Sequence, residues 1–137
     1  MTAERKEEMA LILVCDDNQD LREMVSFILH EDNFSVVETG RGQSVLPLVI
    51  EHKPDVVLLD LRLPDMDGYE ILTALKALPQ ESAPPVITFS AKSSGEDVEM
   101  ARSLGASEFV EKPFTVDGLL FAVRRQAARA AQRRKEK

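Results

Sequence analysis

Five short runs of branched and aromatic apolar residues, each followed by a longer stretch of helical period, most limit what this chain can become. The runs are LILVC (11–15), FSVVE (34–38), DVVLL (55–59), PVITFS (85–90) and EFVE (108–111), and their composition suits the pleated surface of a strand. Val56, Val57, Leu58 and Leu59 follow one another without a polar interruption, so both faces of that strand must be covered, as in a parallel sheet. Leu21, Val25 and Ile28, with Met24 and Leu29, predict a first helix capped by Asn18 or Asp20. Val45, Leu48 and Val49 predict a second, in which Pro47 must sit in the first turn or kink the helix. Ile71, Leu72, Leu75 and Leu78 predict a third, ended before Pro79. Val98, Ala101 and Leu104 predict a fourth, opened by Ser93 or Ser94 and closed by Gly105. Leu119, Leu120 and Val123 begin a long last helix with Thr115 as its cap. Five β–α pairs in succession predict an α/β fold: an open parallel sheet joined by helical crossovers, with helices on both faces.

Composition removes several classes. At 137 residues with 44% hydrophobic and 30% charged residues, the chain reads as one ordinary globular domain. Aromatics make up 5%, with no Trp and one Tyr, which argues against a base-stacking nucleic-acid platform. No apolar run approaches the ~20 residues of a membrane helix, and the charged start MTAERKEEMA has no apolar signal core. Cys15 is the single cysteine and fits a reducing compartment. The expectation is a cytoplasmic protein with no membrane partner. Charge is unevenly placed: residues 124–137 hold seven bases and one acid, the remainder ten bases and 23 acids. An acidic body suits a cation site and disfavours phosphate backbones. The basic tail RRQAARAAQRRKEK reads as a solvated helix end or linker. The division expected is 1–9 as an N-terminal extension, 10–123 as the folded body and 124–137 as a basic extension of the last helix.

The polar residues at the strand ends carry the chemistry. In such a sheet, functional groups gather beyond the carboxyl ends of the strands. Here the first run ends at Asp16 and Asp17, the third at Asp60 and the fourth at Ser90, while the fifth leads to Lys112-Pro113. Asp16, Asp17 and Asp60 offer hard oxygen donors that would repel one another unless a cation neutralised them. Mg²⁺ fits that donor set best, because it binds one or two carboxylates, keeps waters and accepts phosphate oxygens. Zinc does not fit, since His30 and His52 lack ligand spacing and read as surface histidines. Taken singly, Asp16-Asp17 could cap a helix, Lys112 could be a surface charge and Ser90 an ordinary strand-end hydroxyl. Their joint placement favours one site.

The segments LILVCDDN, PDVVLLDLRLPDMDGYE, VITFSA and FVEKPF, in this order over residues 10–123, resemble the response-regulator receiver domain of two-component signalling, in particular its single-domain chemotaxis and sporulation types. The resemblance implies a doubly wound, flavodoxin-like sheet of order 2-1-3-4-5 with five helices. It implies Asp60 as the phosphoacceptor, a carboxylate nucleophile forming an acyl phosphate. Asp17 and Asp60 would bind Mg²⁺ directly with the backbone carbonyl of Arg62, and Asp16 mostly through water. Lys112 and Ser90 would contact phosphoryl oxygens, with Pro113 suggesting a cis peptide that aims the lysine. Phe109 matches the aromatic that couples to the Ser/Thr and biases the surface of the fourth helix, fifth strand and fifth helix. It lacks the hydroxyl a Tyr would offer a partner.

Arg62 and Lys92, two residues after Asp60 and Ser90, should overhang the acyl phosphate and slow its hydrolysis. The protein would then be a phosphorylated signalling protein rather than an enzyme, assisting its own phosphotransfer and autodephosphorylation. Its donor would be a sensor histidine kinase or phosphotransfer protein, gripped at Leu21, Met24 and Val25 of the first helix. Its output would be a downstream protein target, reached as a monomer or a phosphorylation-dependent dimer, with nucleic acid not expected through this domain. Two alternatives accompany this reading. Residues 1–137 could be the receiver of a larger regulator with a DNA-binding or enzymatic output domain. Asp65 and Asp67, in a D-x-D-G sequence, could instead serve a haloacid-dehalogenase-type phosphatase, but Pro64 before them reads as a loop rather than a strand end.

Overall fold

The computed structural model describes residues 9–90 and 95–135. Each apolar run becomes a strand: β1 (Leu11–Cys15), β2 (Ser35–Thr39), β3 (Val56–Asp60), β4 (Val86–Ser90) and β5 (Glu108–Glu111). All pairings are parallel and the order is β2-β1-β3-β4-β5. The helices between are α1 (Gln19–Glu31), α2 (Val45–His52), α3 (Gly68–Lys76), α4 (Gly95–Ser103) and α5 (Val116–Lys135). The fold is thus the flavodoxin-like α/β arrangement expected.

Alternation along the strands divides the core in two. Ile12, Val14, Val56, Leu58, Ile87 and Phe89 face α1 and α5, meeting Val25, Leu29, Leu119 and Val123. Leu13, Cys15, Val57, Leu59 and Val86 face the other way, onto Val45, Val49, Ile71, Leu72, Leu75 and Ala101 of α2, α3 and α4. β3 and β4 are buried at every position, as uninterrupted apolar runs require. β2 and β5 are the edge strands and are only partly covered.

Local chemistry sets the helix ends. Asn18, not Asp20, caps α1, its Oδ1 accepting from the Leu21 amide at 3.1 Å. Pro47 falls in the first turn of α2, where its missing N–H has no helical partner to lose. The Thr115 hydroxyl accepts from the Gly118 amide at 2.9 Å and opens α5. Gly105 lies just past α4 at φ +105°, a conformation that favours glycine. The proposed openers of α4, Ser93 and Ser94, lie outside the described residues. Met24, assigned above to the apolar face of α1, is half exposed (48%), whereas Val25 is fully buried. The exposed apolar surface of α1 is therefore Met24 and Phe27, and Val25 is not available to a partner.

Helix α5 keeps burying residues beyond 123, where a solvated end was expected. Leu119, Val123, Gln126 and Ala130 are all buried, continuing one stripe at helical spacing. The bases flanking this stripe pair with the body. Arg124 makes a bidentate contact with Asp32 at 2.7 and 2.6 Å, and Arg125 does so with Glu108 at 2.8 Å twice. Arg133 donates to the Gln80 carbonyl at 2.7 Å, and Arg134 pairs with Asp55. Among the described residues no helix is long and apolar enough to cross a membrane.

Glu108 gives this docking a pH dependence. The Arg125 guanidinium, helped by the Gln126 amide at 2.7 Å, holds its carboxyl below the ordinary value of 4.5. A depressed folded-state pKa contributes stability above pH 4.5 that is lost as pH falls through the folded value. Glu108→Gln should therefore cost about 1 kcal/mol at pH 7, with the difference from wild type closing in acid. Thermal melts across pH check this, and a gap that persists at low pH would contradict it.

Candidate functional site

Parallel register brings the polar strand ends together. Cys15 pairs with Leu59, so the residues that follow, Asp16 and Asp60, leave adjacent strands side by side. Asp60 pairs with Phe89, which sets Ser90 one step beyond it, and the Lys112 amide donates to the Ser90 carbonyl at 2.8 Å. One carboxylate oxygen from each of Asp16, Asp17 and Asp60 lies within 4.8 Å of the others. Asp16 is fully buried, Asp60 is 4% exposed and Ser90 2%, while Asp17 opens to solvent. Lys112 reaches into the cluster, its Nζ 2.7 Å from Asp16 Oδ2 and 3.4 Å from Asp60 Oδ2. The same ammonium sits 4.8 Å from the centre of the Phe89 ring, which adds a cation–π contact. The Lys112–Pro113 peptide is cis.

This constellation can be set beside known proteins. The sequence matches the response regulator receiver domain over residues 12–124. The chain belongs to that family. It is 37% identical over 118 residues to the DNA-binding response regulator MtrA of Mycolicibacterium smegmatis, covering 86% of this chain and 50% of that one. It is also 37% identical over 126 residues to the transcriptional regulatory protein KdpE of Mycobacterium tuberculosis, covering 89% and 54%. The chain thus spans about half the length of the curated relatives it matches. Among solved structures it resembles the chemotaxis response regulator CheY4 of Vibrio cholerae (28% identity, TM-score 0.80, 86% of this chain and 98% of that one). It also resembles NtrX of Brucella abortus (30%, TM-score 0.83, 93% and 29%).

In this receiver the carboxylates and the lysine do not balance at every atom. Burial pushes the Asp60 carboxyl above its ordinary value, and the Asp16 charge adds to that. The Arg62 amide, 2.9 Å from Asp60 Oδ1, and the Lys112 ammonium pull the other way. Burial also pushes the neighbouring Cys15 thiol up to about 12, with Asp60 and Asp16 contributing, so Cys15 remains a thiol and acts as a small core residue.

The loop after β3 is pinned from two sides. A Cβ on Gly68 would lie 2.4 Å from the Leu61 Cα, so only glycine lets the start of α3 pass so close to the strand end. Asp65 accepts from the Gly42 and Gln43 amides at 2.9 and 3.1 Å, and Asp67 caps α3 through the Tyr69 amide at 3.0 Å. Both carboxylates of the D-x-D-G sequence therefore bind backbone amides, and neither joins the acidic cluster. The Arg62 side chain is exposed and lies 3.8 Å from Asp97 at the start of α4, which also accepts from the Tyr69 hydroxyl at 3.2 Å. Nothing local in the sequence marks those bonds. Phe109 is half-buried on β5, His30 and His52 are exposed, and Lys92 lies outside the described residues.

The raised Asp60 pKa has a stability consequence. The folded chain holds that proton more tightly than the unfolded one, so ionised Asp60 opposes folding at neutral pH. Stability is regained as pH falls through the folded value towards 3.8. Asp60→Asn should raise the melting temperature of metal-free protein at pH 7 by about 3–5 °C, equivalent to about 1 kcal/mol. That advantage should shrink as the wild type is acidified, and equal melting points at pH 7 would overturn it.

Proposed function

We propose that Asp60 accepts a phosphoryl group from a phosphohistidine of a sensor kinase or phosphotransfer protein, and that the acyl phosphate alters the α4–β5–α5 surface. The observation that carries this reading is a nearly buried carboxylate at a strand end, with two further carboxylates and one ammonium within reach. In the reaction an Asp60 oxygen attacks phosphorus as the phosphorus–nitrogen bond breaks, and the departing imidazole nitrogen takes up a proton. Charge spreads over the three equatorial oxygens, which a cluster of bare carboxylates would repel. Lys112 then turns its ammonium from the carboxylates to one of these oxygens. Ser90 donates its hydroxyl to another, and the half-buried Phe109 moves into the space the hydroxyl leaves.

The donor set of Asp16, Asp17 and Asp60, all hard oxygens within 4.8 Å of one another, fits Mg²⁺, with Asp17, Asp60 and the Arg62 carbonyl as direct ligands and Asp16 acting mainly through water. A bound Mg²⁺ would neutralise the charge developing on the transferred group. The kinase-facing surface in this reading is Met24 and Phe27 of α1. The relatives MtrA and KdpE favour a second reading of the output: this receiver serves a transcriptional regulator, in which the controlled activity is DNA binding. The mass of the native protein on an immunoblot separates this from a stand-alone receiver.

Incubation with Mg²⁺ and acetyl phosphate should add one phosphoryl group to the wild type by mass spectrometry, and none to Asp60→Asn or with the metal chelated. Modification that survives Asp60→Asn would refute the assignment. Arg62, two residues after Asp60 and paired through its side chain with Asp97, slows hydrolysis in this reading, so Arg62→Ala should lose its phosphoryl group several-fold faster. An unchanged half-life would remove that role.

A further inference from the structure

The turn bearing Asp16 and Asp17 is held by a side chain to which the reading above gives no part. Each polar group of Asp16 has a partner. Its amide donates to the Thr39 carbonyl at 3.2 Å, its Oδ1 accepts from the Asn18 amide at 2.9 Å, and its Oδ2 accepts from Lys112. Its carbonyl accepts from Arg22 Nη1 at 2.7 Å. That last bond differs in kind from the others. Because the peptide group is planar, holding the Asp16 carbonyl oxygen fixes the plane that leads into Asp17, and with it the direction in which Asp17 leaves the strand.

Arg22 is itself held from β2. Its Nε donates to Glu38 Oε1 at 3.2 Å, and the second Glu38 oxygen accepts from the Ser26 hydroxyl at 2.7 Å. Ser26 is buried and the Arg22 side chain is only 18% exposed, so this chain of bonds is shielded from solvent on one side. Gly40 leaves the room: a Cβ there would come within 2.8 Å of Arg22 Nη1 and 3.6 Å of the Asp16 carbonyl oxygen. One helix, one strand and the turn after it thus converge on a single backbone oxygen.

We propose that Arg22 is a positioning residue for the acidic site, keeping Asp16 and Asp17 aimed at Asp60, with Glu38, Ser26 and Gly40 holding it in place. The inference rests on the reading that this cluster takes Mg²⁺. The sign of the effect separates positioning from simple charge. As a nearby cation, Arg22 opposes a second cation by field alone, so removing it would tighten metal binding. As the anchor of the turn, its removal loosens binding.

The test is calorimetric titration of Mg²⁺ into the full chain, with melting temperatures measured alongside. Arg22→Gln should weaken Mg²⁺ binding about tenfold, the scale of losing an outer-sphere support. Arg22→Lys, which reaches one acceptor but not both, should recover part of that. Gly40→Ala keeps every charge and displaces only the end of a flexible side chain, so it should weaken binding about threefold with little change in melting temperature. Val123→Ala, on the core face of α5 and distant in the chain from this turn, should lower the melting temperature and leave Mg²⁺ affinity unchanged. Unchanged or tighter binding in Arg22→Gln and Gly40→Ala, with normal wild-type binding, overturns the positioning role alone. A wild type that takes no Mg²⁺ overturns the metal reading and this inference with it.

Discussion

Neighbouring strands lie about 4.8 Å apart, so Asp16, just past β1, and Asp60, the last residue of β3, have no choice but to be neighbours. When both are carboxylates and both are buried, repulsion in a medium of low dielectric must be met by positive charge or by protons. Lys112 supplies that charge, entering from beyond β5 and bonding Asp16 more closely than Asp60. The arrangement leaves Asp60 the less satisfied of the two, with one backbone amide and a longer contact to the ammonium. A buried carboxylate with incomplete compensation is the kind of group on which a phosphoryl transfer can act. The cost is borne by the fold, through the dry strands on either side.

The loops at this end show how the rest of the molecule absorbs that cost. A sheet positions only the last residue of each strand, and the turns beyond must be fixed by bonds of their own. Asp65 ties the β3–α3 loop to the turn after β2, Gly68 lets α3 begin against the Leu61 backbone, and Asp97 gathers Tyr69 and Arg62 at the start of α4. The Asp65 and Asp97 ties each join segments that follow different strands. The acidic end is therefore a cross-linked rim, and a change at Asp60 has a physical route to α4 through Arg62 and Asp97.

Much of this was legible in the sequence, for identifiable reasons. Strands came from unbroken runs such as VVLL, displaced by one residue at β2 and β3 because Phe34 and Asp55 adjoin the ladder without entering it. Helices came from period, with Met24 misjudged because an apolar residue at the margin of a stripe looks the same as one at its centre. The strand-end residues Asp16, Asp17, Asp60, Ser90 and Lys112 stood out because polar groups after apolar runs need partners. What stayed hidden were bonds between distant segments: Arg22 to Glu38, Gly42 to Asp65 and Tyr69 to Asp97. No period or local spacing encodes them. They exist only after the register of the sheet has placed their backbones.

The basic stretch after residue 123 shows the same limit in electrostatic form. Summed by segment, an acidic body and a basic tail look like separate poles, and such a tail invites comparison with nucleic-acid-binding arms. In the fold α5 lies back across the sheet, and its guanidiniums meet Asp32, Glu108 and Asp55 from three different parts of the body. A guanidinium already bidentate to a carboxylate must give up those bonds before it can bind a phosphate backbone, and the counterion release that drives such binding is correspondingly smaller. The charge of Arg124, Arg125 and Arg134 is thus structural.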